Sequence, residues 1–253
     1  MALLDELRIA LPEEIDVEAI ASYCNATVVY ESLSGCEARI IGLGDRAIIT
    51  VRADARRERQ RFSIGHELGH WMRDRARIGF SCTEFSFHVE WSVENPERRA
   101  NRFAADLLLP GRFFQPAAKD QPMTLATARS LATTFTTSLT ATAIRLVELG
   151  SFPAMLVCSD TAGNRKWYVA GPDVRVRPVL RVGRDTVAYE IAHGGRKGND
   201  PVQVCSDGWV DHPDAGRYDL TEDSVATGRE LVLSLLWWKN EAQLLAIEND
   251  DDP

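Results

Sequence analysis

The sequence predicts an α+β fold, and three observations predict it. The first half carries hairpin signals followed by long segments with apolar residues at helical spacing. After Gly150 the pattern changes to short β-branched and aromatic runs separated by Gly, Asp and Pro. With 45% hydrophobic and 26% charged residues over 253 positions, the chain has the make-up of a globular protein with a sizeable core.

Residues 12–24 read as a short helix, with Asp16 as N-cap and Val17, Ile20, Ala21 and Cys24 on one face. Thr27–Tyr30 reads as a strand. Ala38–Ile41 and Ala47–Val51 read as a hairpin joined through Gly42-Leu-Gly-Asp45, where glycines can take positive φ. Residues 57–75 and 95–109 read as two helices. Asn95 caps the second, Pro96 occupies its first position and Pro110-Gly111 stops it. The aromatic-rich stretch 76–94 is an irregular connection. Leu125–Thr134 and Leu139–Leu149 form a helical pair. Beyond it, Met155–Cys158, Lys166–Val169, Val187–Ile191 and Leu231–Trp238 read as strands. The expected organisation is a core over 1–123, a helical segment over 124–150 and a mixed or mostly β domain over 151–253, with an acidic, frayed tail at Asn249–Asp252.

A net charge of -8 argues against a chain whose main task is coating nucleic acid. The five cysteines are scattered and form no CxxC, which points to free thiols in a reducing compartment rather than a disulfide framework. No basic leader and no membrane-length apolar run occurs, so a cytoplasmic location is expected.

The chemistry is carried by Ser63-Ile-Gly-His-Glu-Leu-Gly-His70, which contains HExxH. Residues four apart in a helix lie one turn apart on one face, so His66 and His70 can hold one metal ion. Glu67 then serves as general base toward a water in the open coordination position. Two surface histidines on an amphipathic helix are the plainer alternative. Gly65 and Gly69 weaken it, because each costs a helix about 1 kcal/mol and calls for a packing reason.

A catalytic zinc usually keeps three protein ligands. Glu97 is one candidate for the third, at the edge of the apolar face made by Ala100, Phe103, Ala104, Leu107 and Leu108. Asn101, one turn on, could orient its carboxylate. Asp106 and Glu94 are rivals, and Glu97 could equally be a first-turn carboxylate favoured by the helix dipole.

Arg61-Phe-Ser-Ile-Gly-His-Glu-Leu-Gly-His70, followed by Glu97-Arg-Arg-Ala-Asn-Arg-Phe-Ala-Ala-Asp-Leu-Leu-Leu-Pro110, resembles the ImmA/IrrE family of metallopeptidases in content, order and separation. The resemblance implies a zincin-like core with Zn2+ held by His66, His70 and Glu97, and Glu67 as base. It departs at Arg99, where the family is often acidic. Glu97 is thereby the only carboxylate in that first turn. The resemblance extends over Leu125–Leu149 through a phrase such as Ser138-Leu-Thr-Ala-Thr-Ala-Ile-Arg-Leu-Val147, which has helix-turn-helix-like character, and fades after Gly150. It further implies cleavage of a helix-turn-helix transcriptional repressor, derepressing stress-response or mobile-element genes, and a GAF-like sensor as one form of the C-terminal domain.

Other features are weaker. Arg129 and Arg145 bring little positive charge to the helical pair, so direct DNA binding is not the expectation and packing on the core is. His88 is a candidate for polarising a carbonyl, though an ordinary loop histidine is the commoner case; His193 and His212 read as surface residues. The strand Ala47–Val51 reads as an edge able to hold an extended peptide. Arg52, Arg56, Arg57, Arg59 and Arg61 form a basic run, either a solvated helix start or a means of meeting a DNA-bound substrate. Trp209, Trp237 and Trp238 read as core. The rival functions are a regulatory binding module with a structural or vestigial zinc site, and a zinc hydrolase acting on a small molecule.

Overall fold

The computed structural model describes residues 2–74, 95–195, 200–228 and 230–249. The chain is α+β and divides into two compact units, Met1–Phe114 with Ala132–Ser138, and Gln115–Leu131 with Leu139–Pro253. No helix among the described residues is long and apolar enough to cross a membrane.

In the first unit, α1 (Ala2–Glu6) and a 3-10 turn lead to α2 (Val17–Tyr23). Asp16 caps α2, its carboxylate accepting from the amides of Glu18 and Ala19 at 3.0 and 3.1 Å. Strands β1 (Ala26–Glu31), β2 (Ala38–Leu43) and β3 (Arg46–Arg52) make a three-stranded sheet of order β1-β3-β2. The β2–β3 hairpin closes tightly around Gly44, whose φ of +63° a side chain would disfavour. β1 runs parallel to β3, and β2 runs antiparallel to it. Ala47–Val51 is therefore the central strand, paired on both sides, and not the peptide-holding edge its place in the sequence suggests. Chain order does not reveal that β1 returns to the far side of the hairpin. Among the described residues the edge strands are β1 and β2. On one face of β2 and β3, Ile41, Ile48 and Leu43 are exposed.

Helix α3 (Arg57–Asp74) lies across this sheet. Ile64, Leu68 and Trp71 are fully buried with Ile40, Ile49 and Val51 of the sheet and Ile20 of α2. The Trp71 indole donates to the Cys24 carbonyl at 2.7 Å. An Arg61 guanidinium nitrogen donates to the Ile15 carbonyl at 3.0 Å, fixing the start of α3 to the entrance of α2. α4 (Pro96–Leu108) begins at Asn95, whose side chain accepts from the Glu97 amide at 2.9 Å, and it packs along α3. α5 (Gly111–Ala118) follows directly, although Pro110-Gly111 has the composition of a terminator.

The second unit is built on a five-stranded antiparallel sheet formed by β4 (Ala154–Asp160), β5 (Arg165–Ala170), β6 (Val202–Cys205), β7 (Asp219–Thr227) and β8 (Leu231–Trp237), in the order β5-β4-β8-β7-β6. Helices α6 (Leu125–Phe135) and α7 (Leu139–Leu149) precede it, and α7 packs on β4 and β5. Val187–Ile191 is not a strand but most of α8 (Val187–Ala192). Its β-branched and aromatic composition suggests extended chain. The Thr186 cap on the Tyr189 amide and the Glu222 carboxylate on the Val187 and Ala188 amides nucleate a helix instead. Trp209, Trp237 and Trp238 are all buried, and Leu244 and Ile247 of α9 (Glu241–Asn249) join the same core as Trp209 and Trp238.

Candidate metal centre

α3 presents two different faces. Ile64, Leu68 and Trp71 enter the core, while Gly65, His66, Gly69 and His70 meet α4. A Cβ added at Gly69 would stand 3.0 Å from the Ala100 Cα and 3.2 Å from the Phe103 Cβ. One added at Gly65 would stand 3.3 Å from both the Cα and Cβ of Ala104. The glycines let the two backbones approach more closely than side chains would allow, which is the packing reason their presence in a helix calls for.

This approach delivers Glu97 onto the histidines. Its Oε2 lies 3.2 Å from His66 Nε2, and its Oε1 lies 3.3 Å from His70 Nε2. The two Nε2 atoms are 3.1 Å apart, with the rings edge to face at 80°. Both imidazoles are buried, whereas the Glu97 side chain is 45% exposed, so the cluster has a protein-lined floor and one solvent-facing member. Where they donate a hydrogen to it, the facing His66 and His70 ring nitrogens hold the Glu97 carboxyl well below the ordinary carboxylate range, against the opposing effect of its burial. Glu67, between the histidines in sequence, is buried as well.

Asn101 occupies a different place from the one its spacing suggests. Its Oδ1 lies 2.9 Å from His66 Nδ1, so it supports an imidazole rather than the Glu97 carboxylate. α3 and α4 are close enough that a residue one turn along α4 reaches the neighbouring helix. Sequence spacing within α4 alone carries no signal of this.

The other candidates lie elsewhere. The Asp106 carboxylate accepts from Arg102 Nε at 3.1 Å, one turn away on its own helix. Glu94, His88 and Cys82 lie outside the described residues. In the second unit, His193 is exposed, stacked on Tyr189 with ring centroids 3.9 Å apart. His212 is partly buried there, its Nδ1 accepting from the Asp214 amide at 3.2 Å. The basic run is largely engaged locally: Arg52 pairs with Glu37 and Asp54 at 2.8 Å each, and Arg59 lies 3.5 Å from Glu37. Arg145 is buried and paired with Glu148 at 2.9 Å, so it is not available to a phosphate backbone. Among the described residues, His66, His70 and Glu97 are the one group of three or more such side chains whose ligand atoms converge, all within 4.8 Å of one another.

Two buried imidazoles and a carboxylate, brought together by adjoining helices on an α+β scaffold, define a candidate metal centre of a metallopeptidase-type protein. The sequence places it within a family: residues 21–147 match the IrrE N-terminal-like domain, peptidase family M78, and the chain belongs to that family. No curated protein matches the chain. Among solved structures it is similar to one described as a Mycobacterium tuberculosis transcriptional regulator. That likeness has a TM-score of 0.62 at 16% identity, covering 93% of this chain and 74% of the other, and it is a likeness of fold.

Proposed function

We propose that this protein is a zinc-dependent endopeptidase with a zincin-like core, in which His66, His70 and Glu97 hold Zn2+ and Glu67 is the general base. The observation that carries this reading is the convergence of three donor atoms of the right chemistry, 3.1 to 3.3 Å apart. Donors each about 2.0–2.1 Å from a tetrahedral zinc stand roughly 3.3–3.4 Å from one another. At such a distance the two imidazole nitrogens and the carboxylate share either a proton or a cation. The donor set therefore fits the ion, and two neutral imidazoles with one carboxylate suit a catalytic rather than a purely structural site.

Zinc held by such a set would supply Lewis acidity toward a water or carbonyl oxygen. The chain's own residues do the remainder. His66 and His70 hold their positions by burial and by the helix that carries them. Glu67 takes the proton of the attacking water as its oxygen adds to the peptide carbonyl carbon. It then returns that proton to the leaving nitrogen as the C–N bond breaks. Burial keeps Glu67 out of competing solvent contacts.

Membership in the IrrE N-terminal-like family, together with a structural neighbour described as a transcriptional regulator, supports a regulatory setting. The proposed substrate is a helix-turn-helix transcriptional repressor in the cytoplasm, whose cleavage derepresses stress-response or mobile-element genes. Residues 1–123 form the proposed peptidase domain, 124–150 a helix-turn-helix-like segment and 151–253 a sensor domain. The single antiparallel sheet of the second unit, with helices packed on it, supports a GAF-like character for that domain.

The test is metal content by mass spectrometry on the wild type and Glu97→Ala, with a search for new protein N-termini in cells expressing the wild type or Glu67→Gln. About one zinc per chain, weakened in Glu97→Ala, and repressor fragments that vanish in Glu67→Gln would support the reading. Derepression that persists in Glu67→Gln without cleavage would assign the site to a binding module instead.

A further inference from the structure

We propose that Asn101 is the positioning residue that makes His66 a ligand through Nε2, by holding its Nδ1–H on the side-chain carbonyl. The proposal rests on the metal-centre reading above. A neutral imidazole carries one N–H, and the nitrogen that keeps it cannot bind a metal. The Asn101 Oδ1 faces His66 Nδ1 at 2.9 Å. An amide oxygen is an acceptor only, so the hydrogen stays on Nδ1 and the lone pair stays on Nε2. That nitrogen is the one facing Glu97 and His70, at 3.2 and 3.1 Å.

The supply of this group is a consequence of the helix packing. Glu97 and Asn101 are one turn apart on α4, and the contacts of Gly65 and Gly69 with Ala104 and Ala100 set how closely that turn approaches α3. One helix surface thus brings a ligand to the ion and a support to the back of another ligand. A displaced α4 would lose both together.

The side chain's neutrality matters as much as its position. Two neutral imidazoles and one carboxylate leave a divalent ion with a net positive charge. An aspartate at 101 would accept the same hydrogen bond and make His66 a stronger donor, but it would place a second negative charge behind the ring. An amide fixes the ring and its tautomer while leaving the ion's charge to act on substrate.

The experiment compares zinc affinity, by competition with a chromophoric chelator, in the wild type, Asn101→Leu and Asn101→Asp. It is accompanied by 15N NMR of the histidine side chains in the zinc-loaded proteins. Asn101→Leu is close in volume and cannot accept a hydrogen bond. It is expected to weaken zinc binding about 10- to 100-fold and to lose the protected His66 Nδ1–H signal. Asn101→Asp is expected to restore both, which a merely structural role for the side chain would not produce. Affinity within twofold of wild type in Asn101→Leu, with the Nδ1–H signal unchanged, would overturn the proposal while leaving the metal centre standing. Weakened binding that Asn101→Asp does not rescue would also overturn it. Failure of the wild type itself to bind zinc would remove the metal-centre reading and this proposal together.

Discussion

Glu222 and Asp223 are neighbours on β7, and each holds the N-terminus of a different helix from opposite faces of the sheet. Glu222 accepts from the Val187 and Ala188 amides of α8 at 3.0 and 2.7 Å, from the Trp209 indole at 2.8 Å and from the Ser224 hydroxyl at 2.6 Å. Asp223 accepts from the Leu125 amide at the start of α6, at 2.7 Å. Alternation along the strand sends successive side chains to opposite faces. Two consecutive acids therefore anchor helices on both sides, each satisfying donors that a helix start leaves unpaired.

The two carboxylates make acid stability a readout of this arrangement. Burial pushes Asp223 up to about 6, although the Leu125 amide and Arg129 oppose the shift; it raises Glu222 as well. The folded chain therefore binds protons more readily at these positions than the unfolded chain does. The Asp223 contribution to stability rises as pH falls from above 6 toward the ordinary carboxylate range, and that of Glu222 changes in the same direction. For Asp223→Asn this component disappears. The difference in unfolding free energy between wild type and variant is expected to change by on the order of 1–3 kcal/mol between pH 7.5 and pH 4.5, in the direction that favours wild type at the lower pH. Urea denaturation of both proteins across that range checks it.

Replacing Glu222 by Gln should be costly at every pH. Its oxygens accept four hydrogen bonds in a site with no solvent access. An amide group turns one of those acceptors into a donor facing other donors. The expected loss is about 1–3 kcal/mol, read as a lowered melting temperature of the second unit.

The α3–α4 approach sets the metal centre, so Gly69→Val should separate the helices. The Ala100 backbone cannot yield as a flexible side chain end can, and the added carbons meet it at once. About 1–3 kcal/mol of stability should be lost by overpacking. Zinc affinity should fall further than the stability loss alone would suggest, because Glu97 and Asn101 both retreat. Isothermal titration with zinc and thermal melting of the apo protein separate the two effects.

Metal removal should lower the melting temperature of the wild type and leave Glu97→Ala nearly unaffected. A ligand that binds only the folded state at about 100 times its dissociation constant stabilises by roughly 2.7 kcal/mol. Scanning calorimetry with and without a chelator gives the comparison. A chelator effect of equal size in Glu97→Ala would exclude Glu97 as a ligand.

Glu67→Gln should retain zinc and lose peptide cleavage by at least about 100-fold, the usual scale of general acid–base catalysis. Equal zinc content by mass spectrometry, together with abolished fragment formation from the proposed repressor substrate, is the expected pair of results.

Much of this was legible in the chain. Helix-period spacing and the Asp16 and Asn95 caps marked α2, α3 and α4, and the glycine-rich turn marked the β2–β3 hairpin. These are local signals, set by φ/ψ preferences and nearest-turn contacts. β7 carries no local strand signal because Asp219-Leu-Thr-Glu-Asp-Ser-Val reads as solvent-facing, and α8 carries no local helix signal because its nucleating carboxylate lies 34 residues away. Polar groups buried in partnership cannot be recognised until the partner is known.

The donor types at the candidate site, the helical spacing of His66 and His70 and the pair of glycines that serve packing are all written in local stretches of chain. Three features arise only when the elements pack: β3 is central rather than an edge, Glu97 and not Asp106 meets the histidines, and Asn101 supports His66. The physical reason is common to all three. Each depends on how closely and in what register two separate elements approach, a quantity fixed by interlocking contacts such as Gly69 against Ala100, which no single segment of chain encodes alone.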